Sequence, residues 1–495
     1  MNTIKRLIRL VLPTVAVAAL MFASCTSKDN VAKVIPENAM MVANIDGGSI
    51  WVKGDMANLG QMRTVQGLQM MLQQISPDMA QLVNDLMSDP SSCGLDLARD
   101  ITIFSATGTN VCITTRVKSQ KNLEAFLTKL SDQGILTVKS YEQDGLKMAN
   151  LENDMVLASN GKRAIIGFNT ADGQSLSKLA GSVAALFSLD KDHSMADNDD
   201  FSRFWSARKD ISFFFDYNGI FEMAGDSIAA IYDKEDVEEL KEAAMAFHGS
   251  FEKGAIEITA ETYGMPDNLL EMADKKFNES LLTLLPEESL ICFTAGADLE
   301  HMLKYFEKRG MLDQEELTVG TYDLEDIAEA LGGSMALNFY GFRNSTPLVA
   351  AALDVKDRKV VEALLAEIGS TANGSLYEIR DIPMSAYLND KALLFSTDAS
   401  LIDDAAKNIS HNGLKSKQKA AKGQYFFMDL NLNHYPTELV QLLGLVSPVP
   451  SLILSTFDYM EFENISPTEG RGVISMSDKN TNALASILQL IDKVN

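Results

Sequence analysis

The sequence predicts an α+β fold made of two homologous tandem copies, each with a mainly antiparallel sheet packed against helices. Three observations lead to this prediction. Short motifs recur in the same order in both halves of the chain, an X-Pro-Glu turn opens an apolar strand in each half, and hairpin turns alternate with amphipathic helices. The chain has 495 residues, of which 46% are apolar, so it is long enough for two or three domains and too apolar to be disordered.

The charge balance is strongly acidic. Lys and Arg number 43 against 68 Asp and Glu, which gives a formal net charge of −25. A nucleic-acid-binding protein needs an excess of Lys and Arg to neutralise phosphates. The composition therefore predicts no nucleic-acid partner.

The first segment, residues 1–24, is predicted to be a lipoprotein signal peptide. Three basic residues precede the apolar run 10–22, which as a helix would measure about 20 Å at ~1.5 Å per residue, shorter than the ~30 Å core of a bilayer. Such a run, ending in small residues, is typical of a secretory signal. Because Cys25 follows the cleavage point, the segment resembles a bacterial lipoprotein signal, and the resemblance implies acyl chains on Cys25 that anchor the protein to a membrane. A plain signal peptide with an incidental cysteine is the alternative.

The residues from Cys25 onward carry two further expectations. The stretch 25–33 is predicted to be a tether. In lipoproteins of Gram-negative bacteria, an Asp directly after the lipidated cysteine often marks retention in the inner membrane, and Thr26 stands at that position here. The resemblance therefore implies an outer-membrane protein, either periplasmic or surface-exposed.

The internal repeat rests on four sequence matches that keep their order along the chain. Their spacing is too long for a solenoid and fits two whole domains, so we expect copy one over 34–283 and copy two over 284–495. The matched segments are Val34–Val42 with Leu284–Cys292, Val117–Leu127 with Val355–Leu365, Asn160–Lys162 with Asn389–Lys391, and Phe213–Asn218 with Phe426–Asn431.

In copy one, Pro36 precedes the first strand, since proline holds the residue before it in extended geometry. Ser76 is the expected cap of a helix that opens with Pro77. Asn160-Gly161 lies between two β-rich runs and predicts a tight hairpin turn. The predicted strands are Ala39–Ile45, Ile101–Phe104, Val111–Arg116, Ala246–Phe251 and Ala255–Thr262, and the predicted helices are Leu68–Ile75, Pro77–Met87 and Leu123–Leu130.

Copy two repeats this pattern with shorter loops, and Asn389-Asp390 takes the place of the hairpin turn. A last helix closes each copy. The predicted strands are Ser289–Ala295, Ser334–Phe339, Leu348–Leu353, Tyr459–Phe462 and Gly472–Met476, and the predicted helices are Leu299–Phe306 and Val360–Ile368.

Three short motifs carry a resemblance to a known family. They are the opening strand with Ile35–Ala39, the turn Gly94–Asp96 before Ile101–Phe104, and the segment Asp210–Phe213 after Phe201–Trp205. Together they resemble a Bacteroidetes-type envelope lipoprotein family of unknown function. The resemblance implies an envelope location and a duplicated α+β domain. It implies no activity and no catalytic residues.

The cysteines predict neither a disulfide framework nor a metal or redox site. Without Cys25 the chain keeps Cys93, Cys112 and Cys292, an odd number with no C-x-x-C spacing. Cys112 and Cys292 lie in apolar strands, where a free cysteine behaves as a small hydrophobic residue.

Signatures of catalysis and metal binding are absent from the sequence. It contains no H-E-x-x-H, G-x-S-x-G, G-x-G-x-x-G or P-loop motif, and its five histidines are scattered, so we expect no metal and no cofactor. The acidic stretch 190–200 lacks the glycine and the distal Glu of an EF-hand loop. Instead of calcium binding, we expect Asp199 or Asp200 to cap the helix that carries Phe201.

Two aspartates form a speculative acidic pair. Asp216 and Asp429 fall at matched places at the end of the Phe-rich strand of each copy. If the copies packed about a pseudo-two-fold axis, these two carboxyl groups would share a proton. The alternative is that each aspartate caps the helix that follows it.

One segment differs in character between the copies. The acidic helix Asp233–Glu242 of copy one corresponds to Leu439–Leu454, which is rich in Leu and Val and interrupted by two prolines. This segment either packs on the other copy or presents an apolar surface to a partner, lipid or ligand. The candidate surface residues are Leu439, Leu442, Leu445, Val449 and Leu452.

Three functions are open at this point. The first is a non-catalytic, lipid-anchored envelope protein with a binding or scaffolding role, its partner an envelope protein or an apolar ligand. The second is a carrier of an apolar ligand in a cleft between the two copies. The third is a carboxylate-dependent hydrolase that uses Asp216 and Asp429.

Overall fold

A computed structural model gives the architecture of two compact units. Unit 1 runs to Gly264 and resumes at Lys479, and unit 2 is Met265–Asp478. The structure describes residues 31–106, 110–152, 154–169, 175–224, 234–308, 321–379, 383–407, 409, 414–433, 452 and 454–494. The predicted signal peptide and Cys25 lie outside these residues.

The described part of unit 1 forms an antiparallel sheet in which the first strand occupies the middle. Its strand order is β10-β9-β8-β1-β2-β3-β7-β6-β5-β4. The strands are β1 Met41–Asp46, β2 Asp100–Ala106, β3 Asn110–Arg116, β4 Val138–Gln143, β5 Leu146–Leu151, β6 Met155–Ser159, β7 Arg163–Asn169, β8 Ile211–Asp216, β9 Ala244–Glu252 and β10 Ala255–Tyr263.

One helix of unit 1 begins at the cap that the sequence predicts. The Ser76 hydroxyl accepts a hydrogen bond from the Met79 backbone N–H at 3.3 Å, which confirms its role as a cap. The helices are α1 Gly47–Lys53, α2 Arg63–Ile75, α3 Pro77–Ser88, α4 Gln120–Asp132, α5 Leu176–Ala185, α6 Asp199–Ala207, α7 Tyr217–Ala224 and α8 Lys234–Leu240, and the 3₁₀ segments are Val31–Val34, Met56–Gln61, Pro90–Cys93, Leu186–Ser188, Lys191–His193 and Met195–Asp197.

Two apolar cores cover the two faces of this sheet. On one face, Phe201 and Phe204 of α6 pack on Phe214 of β8, with ring centroids 5.3–5.5 Å apart. On the other face, Leu123 and Leu127 of α4 belong to a core that includes residues of α2, α3 and β2. Burial of large side chains such as these is the main favourable term in folding.

The described part of unit 2 has the same kind of sheet. Its strand order is β20-β19-β18-β11-β12-β13-β17-β16-β15-β14, and every neighbouring pair is antiparallel. The strands are β11 Ile291–Gly296, β12 Leu331–Arg343, β13 Thr346–Val355, β14 Ser370–Asn373, β15 Leu376–Ile379, β16 Ser385–Leu388, β17 Ala392–Ser396, β18 Phe426–Asn431, β19 Phe457–Ser466 and β20 Glu469–Met476.

The helices of unit 2 supply its cores. Leu401 and Ile402 of one helix pack with Phe427 of β18, and Val361 and Leu365 of another pack under the strands β14–β17. The helices are α9 Asp267–Ala273, α10 Leu299–Lys308, α11 Leu324–Ala330, α12 Arg358–Glu367, α13 Ala399–Ala406 and α14 Lys415–Ala421, and Glu279–Leu284 is a 3₁₀ segment.

The chain then returns to unit 1 with helix α15, Ala483–Val494. The Asn482 amide donates to the Phe251 carbonyl at 2.7 Å, and the Thr64 N–H donates to the Asp492 carboxylate at 2.8 Å. Unit 2 therefore begins at Met265 and the last helix belongs to unit 1, while the boundary of the sequence repeat at 283 and 284 stays a prediction.

The predicted α+β class with a mainly antiparallel sheet is confirmed. One predicted cap is wrong. Asn198, not Asp199 or Asp200, caps α6, because its extended backbone lets its side chain accept from the Phe201 N–H at 2.7 Å. The two aspartates lie in the first turn, where their negative charge interacts favourably with the positive end of the helix dipole.

Cys93, Cys112 and Cys292 are free and buried. The last residues of the predicted tether are packed, since Val31 and Ala32 belong to the core of unit 1. Among the residues that the structure describes, no helix is long and apolar enough to cross a membrane.

Candidate functional site

The candidate site is built around Asp429 in the middle of unit 2. Asp429 lies on β18, directly opposite Cys292 of β11 on one side and Glu461 of β19 on the other. Its side chain is on the core face of the sheet, and the residue is only 1% exposed. A buried carboxylate is costly unless it is paired and hydrogen-bonded.

Lys417 of α14 supplies the counter-charge. Its Nζ lies 2.7 Å from Asp429 Oδ2, and the exposed fractions of the two side chains are 24% and 2%. The pairing satisfies the carboxylate incompletely. Neither oxygen of Asp429 receives a well-directed hydrogen bond from any residue that the structure describes, and Oδ1 is without even the ionic contact. An ionised carboxylate has about four acceptor positions.

Burial and the charge of Asp429 together raise the pKa values of two neighbouring groups. Burial raises the pKa of Glu461 above its ordinary value, and the negative charge of Asp429 across the strand raises it further. Burial, with Asp429 again adding to it, raises the pKa of the Cys292 thiol to about 12. Cys292 is therefore a neutral thiol, and the negative charge of this region lies on carboxylates.

Asp429 and Lys417 lie at the wall of a cleft of about 370 Å³. Among the described residues that line the cleft, four carry a carboxylate and one carries an ammonium group. The other lining groups are hydroxyls, carboxamides and one phenol, so the wall is predominantly polar. The lining residues are Glu287, Glu288, Ser289, Ser416, Lys417, Asp429, Asn431, Asn433, Asp458 and Tyr459.

The rim segment 286–289 is held by a buried amide. Asn338 of β12 is fully buried, and its Nδ2 donates to the Glu288 carbonyl at 2.9 Å and to the Pro286 carbonyl at 3.4 Å. Just beyond these carbonyls, the Ser289 hydroxyl oxygen is buried and has no hydrogen-bond partner among the described residues. The segment thus places a second unsatisfied polar atom in the lining of the cleft.

The same sheet position in unit 1 is entirely apolar. There, directly opposed residues form the row Phe104–Val42–Phe214–Ala246, and each of them is 0% exposed. In unit 2 the corresponding row across β12, β11, β18 and β19 is Asn338–Cys292–Asp429–Glu461. Directly opposed residues share a face of the sheet. This architecture therefore forms without a charge at the position of Asp429.

Asp216 does not occupy the position that corresponds to Asp429. It is the last residue of β8, and its backbone N–H donates to the Met40 carbonyl just before β1. In unit 2 the residue that donates to the carbonyl just before β11, that of Leu290, is Asn431. The sequence match of Asp216 with Asp429 is therefore shifted by two residues from the correspondence in the structure. A shift of two residues keeps each side chain on the same face, so a comparison of apolar patterns does not detect it.

Asp216 acts as a helix cap, the alternative that the sequence left open. Its Oδ1 accepts from the Gly219 N–H at 2.7 Å in the first turn of α7. Burial raises the pKa of Asp216 to about 6, and the hydrogen bond from Gly219 opposes the rise. Asp216 belongs to unit 1 and Asp429 to unit 2.

The other predicted residues lie elsewhere. Leu439, Leu442, Leu445 and Val449 fall outside the described residues, and the Leu452 carbonyl accepts from the Thr456 hydroxyl at 2.9 Å. In the acidic stretch 190–200, Lys191 pairs with Asp197. In the part of the chain that is described, no three His, Cys, Asp or Glu residues converge to hold a metal ion.

Unit 1 contains buried polar groups of a structural kind. Lys53 of α1 bridges Asp210 at 2.7 Å and Glu252 at 3.0 Å, which ties the helix to the sheet. His248 Nδ1 lies 2.9 Å from the Ser212 hydroxyl, and burial lowers the pKa of this histidine. A larger depression, about 840 Å³, is lined by residues of α6 in the part of the chain that is described, and none of these residues carries a buried charge.

Sequence reasoning singled out Asp429 but missed Lys417, Ser289 and Asn338. Lys417 lies in the lysine-rich helix Lys415–Ala421, and a sequence of this kind predicts an exposed helix rather than a partly buried ion pair. The alignment that reveals the site comes from strand pairing, which puts Asp429 of β18 where β8 of unit 1 has Phe214.

Comparisons with known proteins give a family and a distant structural likeness. The family described as "Domain of unknown function (DUF4836)" matches residues 31–484. No curated protein matches. Two crystal forms, I and III, of TP0453 are similar over 78% and 77% of this chain and 99% and 100% of theirs, with 7% identity and a TM-score of 0.21 in each case.

The capping aspartate gives a prediction about pH. Since the pKa of Asp216 is about 6 in the folded chain against an ordinary 3.8, protonation favours folding, and this contribution is complete below about pH 4 and lost as the pH rises through 6. Asp216→Asn keeps an oxygen for the Gly219 N–H and carries no charge. We expect the variant to be more stable than the wild type by about 1–3 kcal/mol at pH 7.5, and the difference to vanish near pH 4. Urea unfolding of both proteins across this range measures it, and a constant difference would refute the assignment.

The buried ion pair gives a prediction about stability. Lys417→Met leaves the Asp429 charge without a partner, and we expect a loss of about 2–4 kcal/mol. Adding Asp429→Leu removes that charge, so the double variant should regain the wild-type stability or exceed it. Lys356→Met is the control, because its pair with Glu300 is exposed and contributes less than about 1 kcal/mol. Urea unfolding of the three variants decides, and a double variant as unstable as Lys417→Met would contradict the prediction.

Proposed function

The chain belongs to the family described as "Domain of unknown function (DUF4836)", and we propose that it is a lipid-anchored cell-envelope protein that binds a ligand without transforming it. The proposed binding site is the cleft of unit 2. The observation that carries the proposal is Asp429, a carboxylate 1% exposed, with an oxygen that accepts no hydrogen bond from any described residue, at the wall of a cleft.

The energetics of this residue support a functional role. Desolvation of an ion pair offsets much of its Coulombic attraction, so a buried pair adds little stability. An aromatic side chain at the same position packs well in unit 1. A buried charge at the wall of a concave site is a mark of functional sites, because binding rather than folding benefits from it.

The proposed location follows from the first residues of the chain. The basic end, the short apolar run and Cys25 support cleavage after residue 24 and acylation of the cysteine. Thr26 supports the outer membrane, on its periplasmic or its outer surface. The envelope lipoprotein family of Bacteroidetes type remains the proposed origin of these features.

We also propose that units 1 and 2 descend from a duplication. The strand order is the same in both, with the first strand between the second and the eighth. Three of the four sequence matches agree with the strand pairing. For example, the matches align Cys112 with Ala350 and Gly167 with Ser396, and in the sheets Cys112 lies opposite Gly167 just as Ala350 lies opposite Ser396. In this proposal the binding site arose in one copy after the duplication.

A carrier of an apolar ligand is the second candidate, and the opposite face of the unit 2 sheet favours it. Phe293 and Phe426 pack edge to face there at 5.3 Å. On the neighbouring strand, Met335 is 38% exposed and Leu337 is 36% exposed. Exposed apolar side chains grouped on one sheet face are a feature of surfaces that bind apolar molecules.

The anchor is tested by labelling and fractionation. Cys25→Ser should abolish incorporation of labelled fatty acid and release the protein from the membrane fraction. Thr26→Asp should move the protein to the inner membrane in a density gradient, while the control Ser27→Asp, one position further on, should leave it in the outer membrane. Fatty-acid labelling of Cys25→Ser equal to that of the wild type would refute the anchor.

The binding function is tested on protein purified from its own envelope. Native mass spectrometry of the wild type should detect a small molecule that is absent from Asp429→Phe, which carries the residue of unit 1 at this position. Incubation with the protein should leave the mass of that molecule unchanged. The same bound molecules in both proteins would exclude the cleft as the site, and a new product would favour an enzyme.

A further inference from the structure

We propose that the cleft of unit 2 recognises a protonated primary amine on a small organic molecule, with Asp429 and Ser289, two residues of the lining, as its hydrogen-bond acceptors. This inference rests on the proposed function, because it names the chemical class of the ligand for the same site.

The unsatisfied atoms of the site are hydrogen-bond acceptors. Asp429 Oδ1 accepts from no described residue, and Ser289 Oγ is buried without a partner. A buried polar atom that is left unpaired destabilises the folded protein. A ligand that donates hydrogen bonds to both oxygens removes this cost, and an ammonium group has three donors.

The charge of the wall favours a cation. Glu287, Glu288 and Asp458 join Asp429 in the lining, and Lys417 is the one cationic residue among the lining groups that the structure describes. Lys417 contacts Oδ2, so it holds Asp429 in place and leaves Oδ1 to the ligand. Among the described lining residues, carboxylates outnumber ammonium groups by three, so an anionic ligand would meet a net negative wall.

The spread of these carboxylates points to an organic cation. A divalent metal ion needs several oxygens that converge on one point. In the described part of the chain no three acidic, His or Cys side chains do so. An organic ammonium ion needs one carboxylate at hydrogen-bonding distance, with the remaining charges contributing through the field.

The remaining lining fits the body of a small molecule. The cleft measures about 370 Å³, at the lower end of the volumes of small-molecule sites. Tyr459 lines it and is 37% exposed, so its ring offers an aromatic face to the cation or to attached methylene groups. A neutral hydroxyl group would form weaker hydrogen bonds with the same oxygens than a charged donor does.

The test uses the full chain in detergent micelles and isothermal titration calorimetry at pH 7.5. The probes are n-butylamine and 1-butanol, which have equal length and differ in charge. We expect n-butylamine to bind at least tenfold more tightly than 1-butanol. We expect Asp429→Asn to weaken amine binding at least tenfold and Ser289→Ala to weaken it about threefold or more. The control Glu378→Gln removes one negative charge from β15, outside the cleft, and should change the affinity less than twofold.

If Asp429→Asn fails to fold, Ser289→Ala still tests the inference. We expect this variant to fold, because it removes only a hydroxyl that has no hydrogen-bond partner among the described residues. Equal affinity for the two probes, or unchanged amine binding by the folded cleft variants, would overturn the inference. Binding of Nα-acetyl-lysine methylamide without binding of n-butylamine would overturn the small-molecule occupant in favour of a protein side chain.

Three further probes separate this inference from the proposed function. D-glucose, sodium acetate and calcium chloride are titrated into the wild type and Asp429→Asn. If one of them binds in an Asp429-dependent way and n-butylamine does not, the amine is wrong and the binding cleft stands. If no probe binds in a way that depends on Asp429 or Ser289, and native mass spectrometry finds no ligand, both proposals fail.

Discussion

The pairing of the first strand of each unit with two distant partners is the constraint on which the rest depends. In unit 2, β11 pairs with β12 on one side and with β18 on the other. Only this arrangement places Asp429 beside Cys292 and next to the segment 286–289 at the start of β11. The hydrogen-bond ladder fixes the register, and the register decides which side chains face the core. The cleft is thus a consequence of long-range strand pairing rather than of any local motif.

The corresponding hydrogen-bond ladders of the two units place different kinds of side chain in the core. In unit 1 the ladder aligns Phe214 with the aromatic side chains of α6, and full burial of such a side chain contributes about 1.5–3 kcal/mol. In unit 2 the corresponding position holds a carboxylate that is paired on one oxygen only. Unit 2 therefore forgoes hydrophobic stabilisation there and also bears the desolvation of a charge. The folded chain alone shows no interaction among the described residues that offsets this loss.

The parts of the fold that depend on neighbouring residues are those that the sequence predicts well. The Ser76 cap, the Asn160-Gly161 turn and the strands β1, β2 and β3 follow from local chemistry and apolar alternation. The register of a strand is harder to predict, because a shift of two residues keeps every side chain on the same face of the sheet. The apolar pattern therefore fits the match of Asp216 with Asp429 as well as it fits the observed correspondence of Phe214 with Asp429. The return of α15 to unit 1 and the ion pair of Lys417 depend on tertiary packing, which no spacing along the chain encodes.

The polar row of unit 2 is best understood as a single unit of structure. Asn338 holds the segment that carries Ser289, Asp429 provides the free acceptor, and Glu461 adds negative charge beside it. All three lie in one row across the sheet, whereas the corresponding row of unit 1 contains no polar residue. Each polar group alone in an apolar row would destabilise the sheet, since it would be buried without the others that orient or complement it. Of these residues, Asp429 lines the cleft together with Ser289, and the strands on which the row lies hold it in a fixed register. Preorganisation of this kind lowers the entropic cost of binding, which is the advantage of building a site on a sheet rather than on loops.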